Sequence, residues 1–145
     1  MSQTEEFLTT AVKAVTDADA ALHQGDAQPR IALWGRQDPI TVMGALGVTT
    51  VGWTECEALF RMLGEKFSGG RDFDVEIVAA DVSGDLAYTV AFEDSVVSWD
   101  GAAPRRNRLR VTQVYRREGG EWRVVHRHGD HVDGFPRELG TEVPA

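Results

Sequence analysis

Residues 109–130 read LRVTQVYRREGGEWRVVHRHGD. Gly119-Gly120 sits between two runs that alternate in polarity, and paired glycines accept the positive φ angles of a two-residue hairpin turn. Such a turn would pair Arg117 with Trp122, Tyr115 with Val124, Gln113 with His126 and Val111 with His128. Because strand side chains alternate between faces, one face would then carry Leu109, Val111, Gln113, Tyr115, Trp122, Val124, His126 and His128. The other would carry Arg110, Thr112, Val114, Arg116, Arg123, Val125 and Arg127. The first face is apolar and aromatic and is expected to meet the core. The second, rich in arginine and valine, suits solvent or a partner subunit.

Upstream of the hairpin the two-residue period continues, with strands expected at about 72–80 and 86–98 beside those at 107–118 and 121–129. Before residue 70 the period is helical. Thr4 can cap a helix that opens with Glu5 and Glu6 and carries Phe7, Leu8, Ala11, Val12, Val15, Ala18 and Leu22 until Gly25 stops it. Asp26 can cap a short second helix through Ile31 and Trp34, and Thr54 can begin a third through Phe67, ended by Gly69-Gly70. Between them, residues 40–43 (ITVM) suit a short strand, and the glycine-rich residues 44–52 suit a lid or a strand-pairing loop. That loop lacks the Gly-Lys-Ser/Thr of a phosphate-binding loop. Helices followed by a long antiparallel run predict an α+β fold with the helices on one face of a curved sheet. One domain is expected over 1–134, with a C-terminal tail at 135–145.

The chain has 145 residues and a net charge of −8. That length fits one domain with a real core. The negative balance repels phosphate backbones and anionic bilayers, so neither nucleic acid nor a membrane is expected as a partner. The N-terminus has no signal-peptide pattern and no apolar run is long enough to cross a bilayer, which together point to a cytoplasmic protein. Cys56 is the only cysteine. It reads as a buried helical thiol, and it cannot form an intrachain disulfide or a cysteine-built zinc site.

The three polar interruptions of the inward hairpin face, Gln113, His126 and His128, carry the functional signal. An unpartnered polar group on such a surface costs about 1–3 kcal/mol, so each needs a partner. A pocket ligand or water can supply it, and so can another of the three or a backbone carbonyl.

The hairpin, with a Trp just after the turn and then His-x-His, resembles the last hairpin of SnoaL-like members of the nuclear transport factor 2-like superfamily. GDLAYTVAFE at 84–93, LWGRQDP at 33–39 and Gly52-Trp53 fit the same pattern in order, so the resemblance spans roughly residues 5–130. It implies a cone: a bent sheet around three helices, enclosing a hydrophobic pocket and usually dimerising through the outer sheet face. Its members include ketosteroid isomerases, cyclases, dehydratases, epoxide hydrolases and non-catalytic association domains, so fold does not settle function.

Carried over residue by residue, the resemblance is mixed. The isomerases' catalytic base would fall at Met43-Gly44, where no carboxylate stands, and their oxyanion-hole aspartate would fall near Gln113. The chain is also similar to the association domain of calcium/calmodulin-dependent kinase II, whose pocket arginines would fall near Glu93 and Gln113. That similarity implies an inward Glu93 alongside Ala87, Thr89 and Ala91, whose small side chains leave room for a ligand.

Glu93 with His126 or His128 is then a candidate acid–base pair, because an apolar cavity raises a carboxyl pKa and imidazole titrates near neutrality. A structural Glu–His or Glu–Arg pair is the alternative. Gln113, Tyr115, Trp34, Trp53, Met43 and Thr89 are candidate substrate-binding residues, although the aromatic ones serve equally as core. Two histidines with Glu93 also match a two-His-one-carboxylate metal set. The family resemblance implies neither a metal nor another cofactor, and none is expected. The Arg105-Arg106-x-Arg108-x-Arg110 cluster, partly in a loop, reads as solvated charge.

The expected function is therefore binding of a small apolar organic molecule by a homodimer. Cofactor-free isomerisation, cyclisation, dehydration or hydration is one use of such a site. A non-catalytic ligand-binding or oligomerisation domain is the alternative.

Overall fold

Runs of 11 to 17 residues of alternating polarity give this chain its frame: four long strands, each joined to the next in sequence, wrap around the helices. The computed structural model describes residues 1–132. The helices are α1 (Gln3–Phe7), α2 (Lys13–His23), α3 (Gln28–Leu33) and α4 (Trp53–Lys66), with a π-helical turn at Leu8–Val12 joining α1 to α2. The strands are β1 (Thr41–Met43), β2 (Thr49–Val51), β3 (Phe67–Ser83), β4 (Leu86–Trp99), β5 (Arg105–Glu118) and β6 (Glu121–His131). They form one curved, unclosed sheet in the order β2-β1-β6-β5-β4-β3. The long strands pair antiparallel, as expected, but β1 runs parallel to β6, so the sheet is mixed. The expected tail at 135–145 lies outside the described residues.

Local chemistry explains most boundaries. The Ser2 hydroxyl, rather than Thr4, caps the first helix by accepting from the Glu5 amide at 3.0 Å. Gly25, at φ +97°, ends that helical rod in the left-handed region that glycine adopts freely. The Asp26 carboxylate accepts from the Gln28 amide at 3.1 Å, which fixes the start of α3. The glycine-rich loop supplies β2, which pairs antiparallel with β1. α4 ends at Lys66, so Gly69 and Gly70 belong to β3 rather than to a helix stop. Gly70 has a packing reason of its own, since a Cβ there would lie 2.5 Å from the His23 Cβ. The arginine cluster at 105–110 lies within β5, not in a loop, and its arginines are exposed.

The core lies between the rod and α3–α4 on one side and the inner sheet face on the other. Phe7 meets Tyr115 edge-on at 4.8 Å, and Trp34 meets Phe60 at 4.8 Å. Both aromatics of each pair are almost fully buried, and Cys56 and Ile40 complete the seam. Burial also pushes the Cys56 thiol up to about 11, so at neutral pH it is an inert core group.

The hairpin forms as expected through its first four pairs. Gly119 and Gly120 hold φ +60° and +83°, and Arg117 faces Trp122 while Tyr115 faces Val124. A β-bulge then shifts the register: Val114 faces His126, Gln113 faces Arg127 and Thr112 faces His128. Val125 is the extra residue, and both it and Val124 are buried. An extra residue reverses every later side chain between faces. His126 and His128, expected inside, therefore lie on the outer face, and Arg127, expected outside, lies within.

Candidate functional site

The inner face of the cone is built mostly from small or apolar side chains: Ala87, Thr89 and Ala91 on β4, Val111 and Tyr115 on β5, Val124 on β6. Five strongly polar side chains interrupt it and are each less than a tenth exposed: Asp19 and Arg30 from the helices, Glu93, Gln113 and Arg127 from the sheet. Arg127 grips Glu93 with two parallel hydrogen bonds, Nη1 to Oε2 at 2.9 Å and Nη2 to Oε1 at 2.7 Å. Its Nη1 also donates to Gln113 Oε1 at 3.3 Å and lies 3.7 Å from Asp19 Oδ2. Asp19 Oδ1 accepts from Arg30 Nε at 2.9 Å, and the Arg30 guanidinium stands 5.2 Å from the Phe60 ring centre. Arg127 thus bridges two carboxylates, and the four charged groups balance.

The electrostatics divide the two acids. Burial alone would push both carboxyls up. At Glu93 the bidentate Arg127 outweighs burial and holds the group below its ordinary value. At Asp19 burial wins over Arg30 and Arg127, and the pKa is raised. The same Glu93 contact keeps Arg127 firmly protonated despite its burial.

Among the described residues two further side-chain polar atoms lie buried with no hydrogen-bond partner, His23 Nδ1 and the Tyr115 hydroxyl. Burial, then the positive charge of Arg30, lowers His23 to about 4, so its ring is neutral at pH 7. Its ring packs against Phe67 at 4.7 Å and Phe73 at 5.3 Å. Tyr115 is held protonated by burial, then by the nearby charges of Asp19 and Glu93. Unsatisfied buried polar groups are rare in native structures because each is costly.

The residues singled out from sequence now fall into three places. Glu93, Gln113, Tyr115 and Thr89 come together inside the cone. Trp34 is core, bridging to Val124, while Trp53 is half-buried under the Arg36 guanidinium at 3.9 Å. His126, His128 and Met43 lie on the outer face. His126 Nδ1 shares a 2.7 Å hydrogen bond with Thr41 Oγ1, and burial, then the adjacent His128, lowers its pKa. Met43 stands beside His128 across the parallel β1–β6 pair and is exposed. Glu93 is therefore on the opposite side of the sheet from both histidines, and neither the Glu–His pair nor the two-His-one-carboxylate set forms. Among the described residues no group of three His, Cys, Asp or Glu side chains is placed to hold a metal ion. No described helix is long and apolar enough to cross a membrane.

Sequence reasoning missed Asp19, Arg30, His23 and Arg127. Asp19 was legible in principle, because it falls four residues after Val15 and three before Leu22, on the apolar stripe of its helix. A charge in that position needs a buried partner. Arg127 was hidden by the bulge, whose sole sequence trace is the adjacent pair Val124-Val125.

A bent sheet wrapped around helices is the frame of the nuclear transport factor 2-like cone folds, which this chain shares. A family model described as a SnoaL-like domain matches residues 12–130, and the chain belongs to that family. Among solved structures, one from Thiobacillus denitrificans, provisionally assigned as a calcium/calmodulin-dependent protein kinase type II association domain, is 25% identical, with a TM-score of 0.67 over 85% of this chain and 93% of that one. One from Streptomyces avermitilis, provisionally assigned as a dehydratase of the NTF2-like family, is 18% identical, with a TM-score of 0.72 over 88% and 94%. An NTF2-like protein of unknown function from Pseudomonas putida is 21% identical, with a TM-score of 0.70 over 96% and 92%. No curated protein matches the chain.

Proposed function

We propose that the cone interior binds a small organic molecule and performs cofactor-free proton transfer on it, in an isomerisation, cyclisation, dehydration or hydration. The observation that supports this reading is the buried Asp19–Arg30/Arg127–Glu93 network with two unsatisfied polar atoms near it. Buried ion pairs contribute little net stability compared with apolar packing of the same volume. Perturbed acids gathered on one concave face are a common mark of a site.

In this reading Glu93, held ionised, fixes the Arg127 guanidinium rather than exchanging protons. Asp19, whose pKa is raised, is the proton carrier. Arg127, the Gln113 amide and the Tyr115 hydroxyl would receive charge developing on a substrate oxygen. Thr89 and Ala91 supply space. His126, His128 and Met43 stand outside this chemistry, so the Glu93–histidine pair expected from sequence gives way to a Glu93–Arg127–Asp19 arrangement.

Asp19→Asn and Gln113→Leu are expected to abolish turnover or weaken ligand binding at least tenfold, about 1.4 kcal/mol, while His128→Ala leaves both unchanged. Binding that survives both interior substitutions would refute the site.

A homodimer, and with it a non-catalytic association role, is favoured by a separate observation. The outer face leaves Val78, Leu86 and Tyr88 at 58%, 52% and 40% exposure. Val78 lines an open depression of about 250 Å³ with Val90, Phe92 and His128. The likeness to the Thiobacillus association domain points the same way. The same reading places the protein in the cytoplasm, where a buried reduced Cys56 is at home; cell fractionation checks that.

A further inference from the structure

The outer sheet face carries two imidazoles that the interior site does not use, and one of them stands beside its apolar centre. Met43 on β1, His128 on β6, Thr112 on β5 and Val90 on β4 lie side by side in register across the face. His128 is exposed, and it lines the outer depression together with Val78, Val90, Phe92 and Thr112. Val78 sits at the break in register of β3 between Ile77 and Ala79 and is 58% exposed.

The charges around His128 are already engaged. Two residues along β6, Asp130 is held by Arg110, whose Nε donates to Oδ1 at 3.1 Å and Nη2 to Oδ2 at 2.6 Å. His131 follows at the end of the strand. Two residues the other way, His126 shares its Nδ1 with Thr41 Oγ1. β5 sets Thr112 opposite His128 and Arg110 opposite Asp130. β1 adds Thr41 and Met43, neither of them charged. Farther across the face, Arg108 binds Asp94 on β4 at 2.6 Å and Glu76 on β3 at 3.5 Å, while Asp81 stands on the far strand opposite Tyr88. A proton on His128 therefore adds a positive charge beside Arg110 and His126, and the nearest carboxylate is already bound twice.

Resting on the proposed outer-face dimer, we propose that His128 makes that association acid-sensitive: two copies meet when its imidazole is neutral and part when it is protonated. The occupant of the face is a second copy of this chain. A net charge of −8 opposes self-association over the molecule as a whole. On this face, by contrast, arginines and acids are paired around an exposed valine and tyrosine centre. A two-fold contact sets the same patch against itself, so both copies of His128 enter the contact together. A neutral imidazole is tolerated against apolar side chains, whereas an imidazolium there loses its water without gaining a counter-charge. The separated copies then bind more protons than the dimer does, so the dimer is lost as pH falls through the range in which histidine titrates.

The test is sedimentation of the full chain at pH 7.5 and 5.5 at one ionic strength, with amide NMR dispersion confirming the fold at both. One proton per copy, excluded from the dimer, is expected to raise the dimer dissociation constant about 100-fold over that interval. Should acid unfold the chain, pH 8 against 6.5 is expected to give about fourfold. His128→Gln, which cannot take the proton, is expected to stay dimeric at both values. His128→Lys, which carries the charge permanently, is expected to be monomeric at pH 7.5 without any acid. A dimer equally tight at both values, a dimer that tightens in acid, or a His128→Lys variant that associates like the wild type would overturn the inference and leave the dimer itself standing. A wild type monomeric at pH 7.5 would instead refute the dimer on which it rests.

Discussion

Arg127 is the residue on which the interior depends. It is buried and carries a full charge, satisfied by Glu93 at 2.7 and 2.9 Å. Removing one member of such a pair strands the other. Arg127→Met is expected to cost about 3–5 kcal/mol in urea denaturation. The double replacement Arg127→Met with Glu93→Leu is expected to cost much less than the two single costs summed. Additive costs would mean that the two groups do not act as a pair.

His23 makes a second prediction at this scale. Its folded pKa of about 4 lies below the ordinary 6.5, so between those values the unfolded chain binds the extra proton. Its contribution is complete above pH 6.5 and lost as pH falls toward 4, a difference of about 3 kcal/mol. Glu93, also depressed, adds loss below its ordinary 4.5, whereas Asp19, being raised, works in the opposite sense. His23→Leu is therefore expected to flatten the stability profile between pH 6.5 and 5. An unchanged slope would remove His23 as its cause.

At the scale of elements, the last hairpin holds both the success and the failure of reading the sequence. Gly119-Gly120 fixed the turn correctly, because a two-residue loop with two positive φ angles leaves glycine little competition. Alternation then placed Gln113 and Tyr115 inside, where they are. It failed five residues past the turn, where Val125 adds one residue to β6. Nothing in strict alternation announces a bulge; its trace is two adjacent valines, both buried.

The helices were legible from their spacing, but the π-helical turn was not, since one widened turn leaves the apolar stripe nearly in place. Deleting Val125 would restore unbroken alternation. It would leave His126 opposite Val114 and Arg127 opposite Gln113, so that His126 and His128 stay on the outer face and Arg127 stays inside against Glu93. That deletion is expected to fold with the Arg127–Glu93 pair kept, seen as dispersed amide signals, while losing the buried Val125 side chain. Gly119→Ala, by contrast, is expected to cost only about 1 kcal/mol, as backbone strain at φ +60°. A deletion variant that loses its dispersed amide signals would mean that Val125 is not merely the extra residue of the strand.

For the whole molecule, sheet curvature creates two unlike surfaces. The inner one is sealed by helices around a balanced charge network; the outer one exposes valine, leucine and tyrosine among ion pairs such as Arg110–Asp130 at 2.6 Å. If the outer face joins two copies, Val78→Asp with Tyr88→Asp should convert a dimer to a monomer in sedimentation at low micromolar concentration. A wild-type monomer would count against the dimer without touching the interior.

The central proposal, a ligand site inside the cone, is tested most directly by NMR. A small-molecule screen would follow amide shifts in the wild type and in Gln113→Leu. Binders are expected to shift Asp19, Thr89, Glu93, Gln113 and Arg127, and to lose those shifts in the variant. Binders that shift only the outer-face residues 78, 88, 90 and 128, with the interior signals still, would contradict it.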